Sequence, residues 1–462
     1  MRTTLSPLFL LLLCWGLTGL VAAYTLAQLG DLDLVQTFMR REGISISVFE
    51  ATGLWWILLG VTAYAIGDLA ARIGKGRRQV PPSLIDVNRA AQLTFLANLL
   101  LLGVTALWIL TAAAQVGGLT ALAANVYMDS LTTRDLLLEN KLFTGMRLFY
   151  AALPATACLA AALLATGRLR GQGRRIMVMT LLINTCALFI LPIVMSQRLL
   201  LLQLLLSAYI AACLVRGRLF GLHWLGLGVV LFLGLWIARE AITNPIIQRS
   251  AYDIASQKLA FYVVNDMFNA FAPLTQTIQH TFGGMTLEGV MFLTFTDGYF
   301  LNLLAPRLAA LDVVIGGGEF PFFTAAYVDF GAIGGAAFIL IVGFVLRRVF
   351  VRAHQSLGWA AVYAQIGAAL LFSSHSVYFT HQNFFFSLAL IGTIVALSRK
   401  KPVVVPDLAR RGPVFRTCRE VRPLPPPLPD SLMRHMAVFR SRYRATADDQ
   451  TRRKKETAHE RA

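Results

Sequence analysis

Ten strongly apolar stretches occupy the first 400 residues, and the short segments joining them are alternately rich and poor in arginine. That alternation leaves few folds open. Each crossing of a bilayer takes about 20 apolar residues, and inside hydrocarbon the backbone must satisfy its own hydrogen bonds. The pattern predicts helical spans over residues 6–26, 50–70, 92–113, 146–165, 176–195, 199–215, 220–238, 322–346, 359–379 and 383–397. With 56% hydrophobic and only 14% charged residues, the chain lacks the polar surface of a soluble protein.

Arginine and lysine in short loops set the orientation. Arg72, Lys75, Arg77, Arg78 and Arg89 follow the second span, and Arg168, Arg170, Arg174 and Arg175 follow the fourth. Arg216 and Arg218 follow the sixth, and Arg347, Arg348 and Arg352 the eighth. The tail opens Arg399-Lys400-Lys401. Every even-numbered exit is basic, so both termini are expected in the cytoplasm. Val21-Ala22-Ala23 has the look of a signal-cleavage site, but removing the first span would invert the charge pattern. It is therefore read as a helix.

Two domains are expected: a membrane domain over 1–398 and a basic, proline-rich cytoplasmic tail over 399–462. The tail carries 17 basic and 7 acidic residues, so much of the formal charge of +18 lies there. This charge reads as orientation and contact with anionic lipid, not as nucleic-acid binding. Four of the five cysteines fall within spans and none has a metal-ligand spacing.

On the outward side the long segment from Arg239 to about Phe330, with its loop at about 239–321, is the one large surface. Its aromatic residues recur at mixed helical spacings, as in amphipathic helices lying at the membrane interface. Charges near membrane depth are costly and mark function or pairing. Arg198, in Ser196-Gln197-Arg198, opens a span at its outer mouth, where its planar fork of donors suits a phosphate or pyrophosphate; the plainer alternative is snorkelling to the headgroups. Arg239 and Glu240 close the seventh span, and Arg249, Asp253 and Lys258 follow, with Arg249 and Asp253 spaced as an i,i+4 pair. Arg307 precedes the run Gly316-Gly317-Gly318. Asp329, in Tyr327-Val328-Asp329-Phe330-Gly331, needs a partner, for which a nearby arginine is expected. His375 and His381 read as satisfied polar residues. No nucleotide-binding glycine loop and no Asp-x-Asp motif is present.

Ser196-Gln197-Arg198 opening a middle helix, the long outward loop, and Phe320-Pro321 through Asp329-Phe330-Gly331 to Gly334-Gly335 together resemble the Wzy-type O-antigen (oligosaccharide repeat-unit) polymerases. The pattern spans roughly residues 190–350, and the topology the whole chain. The resemblance implies an all-α, GT-C-like glycosyltransferase of the bacterial inner membrane with its active site facing the periplasm. Such an enzyme needs neither metal nor cofactor. It joins undecaprenyl-diphosphate-linked oligosaccharides, in some systems with a chain-length regulator protein. On that reading Arg198, Arg239, Arg249, Arg307 and Lys258 would hold the diphosphate, and Asp329, Asp297 or Asp253 would serve the acceptor hydroxyl, with Glu319 a further acid. An O-antigen ligase, for which His280 would speak, and a transporter of lipid-linked sugars are the alternatives.

Overall fold

The computed structural model describes residues 3–73, 85–128, 136–137, 139–195, 199–243, 249–312 and 319–399. Arg198, the glycines at 316–318 and the tail beyond 399 lie outside them. Among the described residues the regular structure is helical, with one isolated bridge, Ile85 to Arg399. In chain order the helices are α1 Pro7–Ala27, α2 Asp33–Arg41, α3 Ala51–Ile73, α4 Val87–Gln115, α5 Leu119–Met128, α6 Met146–Ala151, α7 Leu153–Ala165 and α8 Gly171–Met195. They continue with α9 Leu199–Arg216, α10 Leu222–Thr243, α11 Ala251–Phe271, α12 Glu288–Leu293, α13 Asp297–Asp312, α14 Phe322–Ala353, α15 Leu357–Leu370 and α16 Gln382–Leu397.

Among the described residues eight helical segments are long and apolar enough to cross a membrane, α6 and α7 counting as one. The chain is thus an all-α, multi-pass membrane protein. Local signals set the helix starts: Ser6 accepts a hydrogen bond from Phe9 N ahead of Pro7, Asp86 caps α4, Ser250 caps α11 and Ser356 caps α15.

The last two expected spans are shorter than the sequence suggests. α15 stops at Leu370, and residues 371–377 form turns where the apolar run predicted helix to 379. Its 14 residues and the 16 of α16 reach only ~21 and ~24 Å at 1.5 Å per residue. α15 is buried almost throughout, so its irregular continuation lies against protein, where non-helical backbone is tolerated.

α3 and α14 form the tightest pair. A Cβ on Gly67 would overlap the Leu340 carbonyl oxygen, and one on Gly343 would meet the Tyr64 carbonyl, so the glycines let the two backbones touch. Asp68, 1% exposed, lies in this seam and accepts Arg72 Nε at 2.7 Å, with Arg347 Nη1 4.0 Å away across the interface. Removing Asp68 leaves the largely buried Arg347 without its acid, while the half-exposed Arg72 can turn to solvent. Asp68→Ala is therefore expected to cost about 3 kcal/mol, read as a lower denaturant midpoint of the purified protein. An unchanged midpoint would show that the seam does not depend on this carboxylate.

The two ends of the bundle differ. The starts of α4, α8 and α15 and the end of α7 share one apolar cluster, built on Ala90, Ala91, Leu163 and Met177. Asp86 N donates to Ser398 O beyond α16. Arg168 and Arg170 lie in the connection between α7 and α8, and Arg89 and Arg174 in the first turns of α4 and α8, so this is the arginine-rich end. At the opposite end α14 is broken. Gly331, at φ +70° and ψ −172°, interrupts it after Phe330, a conformation that glycine adopts readily. The Val328 and Asp329 carbonyls freed by the break accept Thr281 N at 3.1 Å and Phe282 N at 3.0 Å from the loop that precedes α12.

The outward segment is not a set of helices lying loosely on lipid. α11 buries Phe261, Val264, Met267, Phe268 and Phe271 and packs on α1, α2 and α10. The expected apolar exposure is kept chiefly by α12, α13 and the adjoining Phe282 and Phe295.

Candidate functional site

Residues 371–381, which join α15 to α16, carry the polar cluster at the end of the bundle away from the arginines. Their course is fixed from several sides. Phe322 N donates to Ser373 O, Trp15 Nε1 donates to Ser373 Oγ, and Cys14 and Thr18 of α1 contact Ser374 Oγ. Phe322 thereby begins the short half of α14, whose Thr324 Oγ1 donates to Ala270 O of α11.

So held, the loop presents His375, Ser376, Tyr378 and His381. His375 Nδ1 meets Asp266 Oδ1 of α11 at 2.7 Å. When the imidazole is neutral and Nδ1 donates to this carboxylate, Nε2 carries the lone pair; it makes no hydrogen bond to any described residue. His381 Nε2 lies 3.3 Å from Glu319 Oε2 and 3.1 Å from Ser376 Oγ, and Ser376 Oγ donates to the same carboxylate oxygen. The Tyr378 ring lies between the two imidazoles, with centroids 6.2 Å from His375 and 5.4 Å from His381. Asn269 Nδ2 donates to Glu319 O, so Asp266 and Asn269, three residues apart on one face of α11, hold both halves of the cluster.

The Ser376, His381 and Glu319 contacts are not a nucleophile relay. A relay needs the serine on one ring nitrogen and the acid on the other, whereas here both address Nε2. The available proton acceptor is Nε2 of His375, oriented by Asp266. Among the described residues no group of three or more His, Cys, Asp or Glu is gathered closely enough to share a metal ion.

Burial alone would raise Glu319, but the hydrogen bond and charge of His381, with the Ser376 hydroxyl, bring it down to about 2. His381 in turn lies above its ordinary value of 6.5: burial would lower it, and the Glu319 hydrogen bond and charge outweigh that. The glutamate's contribution to stability is complete above its unfolded value of 4.5 and disappears as pH falls toward 2. The histidine's contribution is complete below 6.5 and is lost as pH rises through its raised value. Hydrogen-exchange protection of residues 376–381 is therefore expected to be greatest between pH 4.5 and 6.5, after correction for intrinsic rates, and to lose this window in Glu319→Gln. The Glu319 side chain is 52% exposed, so screening keeps the effect modest. Protection that rises steadily to pH 8 in the native protein would contradict the assignment.

No family model, curated protein or solved structure matches this chain. Its function must be read from the site itself.

The residues singled out in the sequence fall into three places. Around the start of α11, Arg249 forks onto Asp33 of α2, with Nη1 2.8 Å from Oδ1 and Nη2 on Oδ2, and pairs with Asp253 at 3.7 Å. The hydrogen bond from Arg249 holds the Asp33 carboxyl at about 2. Asp253 also accepts Gln257 Nε2 at 3.0 Å. Lys258 Nζ donates to the fully buried Glu240 at 2.9 Å, beside the buried Arg239. Arg249 and Lys258 thus tie the start of α11 to α2 and to the end of α10.

At the broken helix, Asp329 is fully buried, and its partners are hydroxyls and amides in place of the expected arginine. Thr281 Oγ1 donates to Oδ1, as does Met285 N at 3.0 Å; Thr286 N at 2.7 Å and Thr286 Oγ1 at 2.6 Å donate to Oδ2. Arg307 Nη1 donates to His280 O at 2.6 Å, and its guanidinium lies 5.1 Å from the Phe282 ring centroid. Asp297 starts α13 and is half-buried. Arg198, the first expected ligand for a phosphate, lies outside the described residues.

The third place is the histidine loop, which the sequence reading set aside. One signal was available: Asn265, Asp266 and Asn269 are polar positions within the apolar run from Phe261 to Phe271. Arg147, in the first turn of α6, is a charged neighbour of both Tyr378 and His381, and nothing in its sequence surroundings marks it.

Proposed function

We propose that the chain is a glycosyltransferase of the bacterial inner membrane that joins oligosaccharides carried on undecaprenyl diphosphate, at the face away from its arginine-rich loops. The observation that carries this reading is the Asp266–His375 pair, which shares its loop with the His381–Glu319 contact. The resemblance to repeat-unit polymerases supports it as well. With both termini in the cytoplasm, as the loop charges imply, this cluster faces the periplasm, where lipid-linked units are assembled in a GT-C-like architecture.

The chemistry needs little else. The acceptor sugar hydroxyl attacks the anomeric carbon of the donor glycan, and its proton passes to His375 Nε2. The bond from that carbon to the diphosphate oxygen breaks, and undecaprenyl diphosphate leaves with the electron pair. Arg147, a charged neighbour of His381, favours the negative charge that gathers on the leaving oxygen. The phospho-sugar bond supplies the energy. On this reading Asp329 serves by holding the 281–286 loop in place, and Arg249 and Lys258 by tying helices together. A chain-length regulator is a natural partner for such an enzyme.

A second reading is transport of the same lipid-linked units. The interruptions of α14 at Gly331, between α6 and α7, and between α15 and α16 favour it, since transporters often build binding sites from broken helices. Deleting the gene separates the two. Loss of long-chain surface glycan with single repeat units retained is the result expected for a polymerase. Absence of lipid-linked units from the outer leaflet assigns transport instead.

A further inference from the structure

Between the broken helix and α13 the chain makes a surface that the proposed chemistry does not use. Phe282 and Phe295 are the two described residues other than glycine with positive φ, 48° and 56°. Residues bearing a Cβ take this conformation at a cost. In both cases it turns an aromatic ring outward: Phe295 is 91% exposed and Phe282 66%. Leu293, Tyr299 and Leu303 continue the exposed apolar face across α12 and α13. A contiguous patch of this kind marks a partner or a membrane.

Charge identifies the occupant. From Phe282 to Pro306 the chain contains no lysine or arginine, and its acids are Glu288 and Asp297. Arg307, the next cation, is turned inward to the His280 carbonyl. Such a surface has nothing with which to attract anionic headgroups; it suits hydrocarbon. It also adjoins an apolar helix of the bundle, because α12 packs on α16. The approach is close enough that a Cβ on Gly289 would overlap the Thr380 carbonyl oxygen.

We propose that the α12–α13 hairpin is a membrane-inserting element, with Phe295 at its tip dipping into the hydrocarbon of the leaflet at the histidine-loop end. The inference needs only that the bundle is embedded in a bilayer, so it stands or falls separately from the chemistry proposed above. The test uses the full chain in phosphatidylcholine vesicles with the photo-crosslinker p-benzoylphenylalanine at position 295, and at the exposed position 168 of the arginine-rich end as the reference. Irradiation is expected to attach lipid acyl chains at 295 several-fold more than at 168, and equally with or without added phosphatidylglycerol. Lipid adducts at 295 no more frequent than at 168 would overturn the proposal. So would adducts that need the anionic lipid, or cross-links joining two copies of the chain.

Discussion

Exchanging His375 for alanine is expected to slow the joining of lipid-linked units by about 100- to 10,000-fold, the range a positioned proton acceptor supplies, with membrane abundance unchanged. The ground is geometric. His375 Nδ1 is held by Asp266 at 2.7 Å, whereas His381 Nε2 is already shared by Glu319 and Ser376. Asp266→Asn keeps the shape of the acid but removes the charge that orients and stabilises the imidazolium, and a large loss is expected there too. Glu319→Gln should be milder, because Glu319 faces His381. The measurement is initial rate at saturating donor in vesicles, with the acceptor varied to separate kcat from KM. A His375→Ala protein that extends glycans at the native rate would remove the pair from the reaction.

Asp329→Ala should act on the fold. The carboxylate takes four hydrogen bonds, two of them from the backbone amides of Met285 and Thr286. The hydroxyls of Thr281 and Thr286 can rotate to other partners; the amides cannot. Leaving a buried donor unmade costs about 1–3 kcal/mol, so the two amides together set a loss of roughly 2–6 kcal/mol. Denaturant unfolding reads the loss, and hydrogen exchange should show residues 281–286 released. Asp329→Asn, which keeps one accepting oxygen, should fall between. A fully stable Asp329→Ala protein with no activity would return this residue to the chemistry, the role the polymerase resemblance suggests for it.

These two residues show what the amino-acid order discloses and what it withholds. The long spans were legible because about 20 consecutive apolar residues leave a membrane chain no structure but helix. The end of α15 was not, because Leu371-Phe372 and Val377-Tyr378-Phe379 prolong the apolar run past Leu370. Hydropathy does not separate a helix from an irregular loop wrapped in protein. The Arg249–Asp253 pair could be read from helical spacing. The fork from Arg249 to Asp33 could not, since 216 residues separate them. Asp329 signalled that it required a partner, and its position beside Gly331 located the break, but Thr281 and Thr286 lie 48 and 43 residues upstream without a shared period. The histidine loop was missed for a similar reason. His375 and Asp266 meet only because α1, α11 and the first turns of α14 enclose the loop together.

The brevity of α16 has an effect beyond the protein. At ~24 Å it falls several ångströms short of a hydrocarbon layer of about 30 Å, and part of its surface remains uncovered by neighbours. Acyl chains alongside it must tilt or shorten to avoid exposing their ends to water. A crossing by α16 is therefore expected to thin the membrane locally, next to the loop that bears His375 and His381, and bilayers of thinner lipids would accommodate it with less deformation.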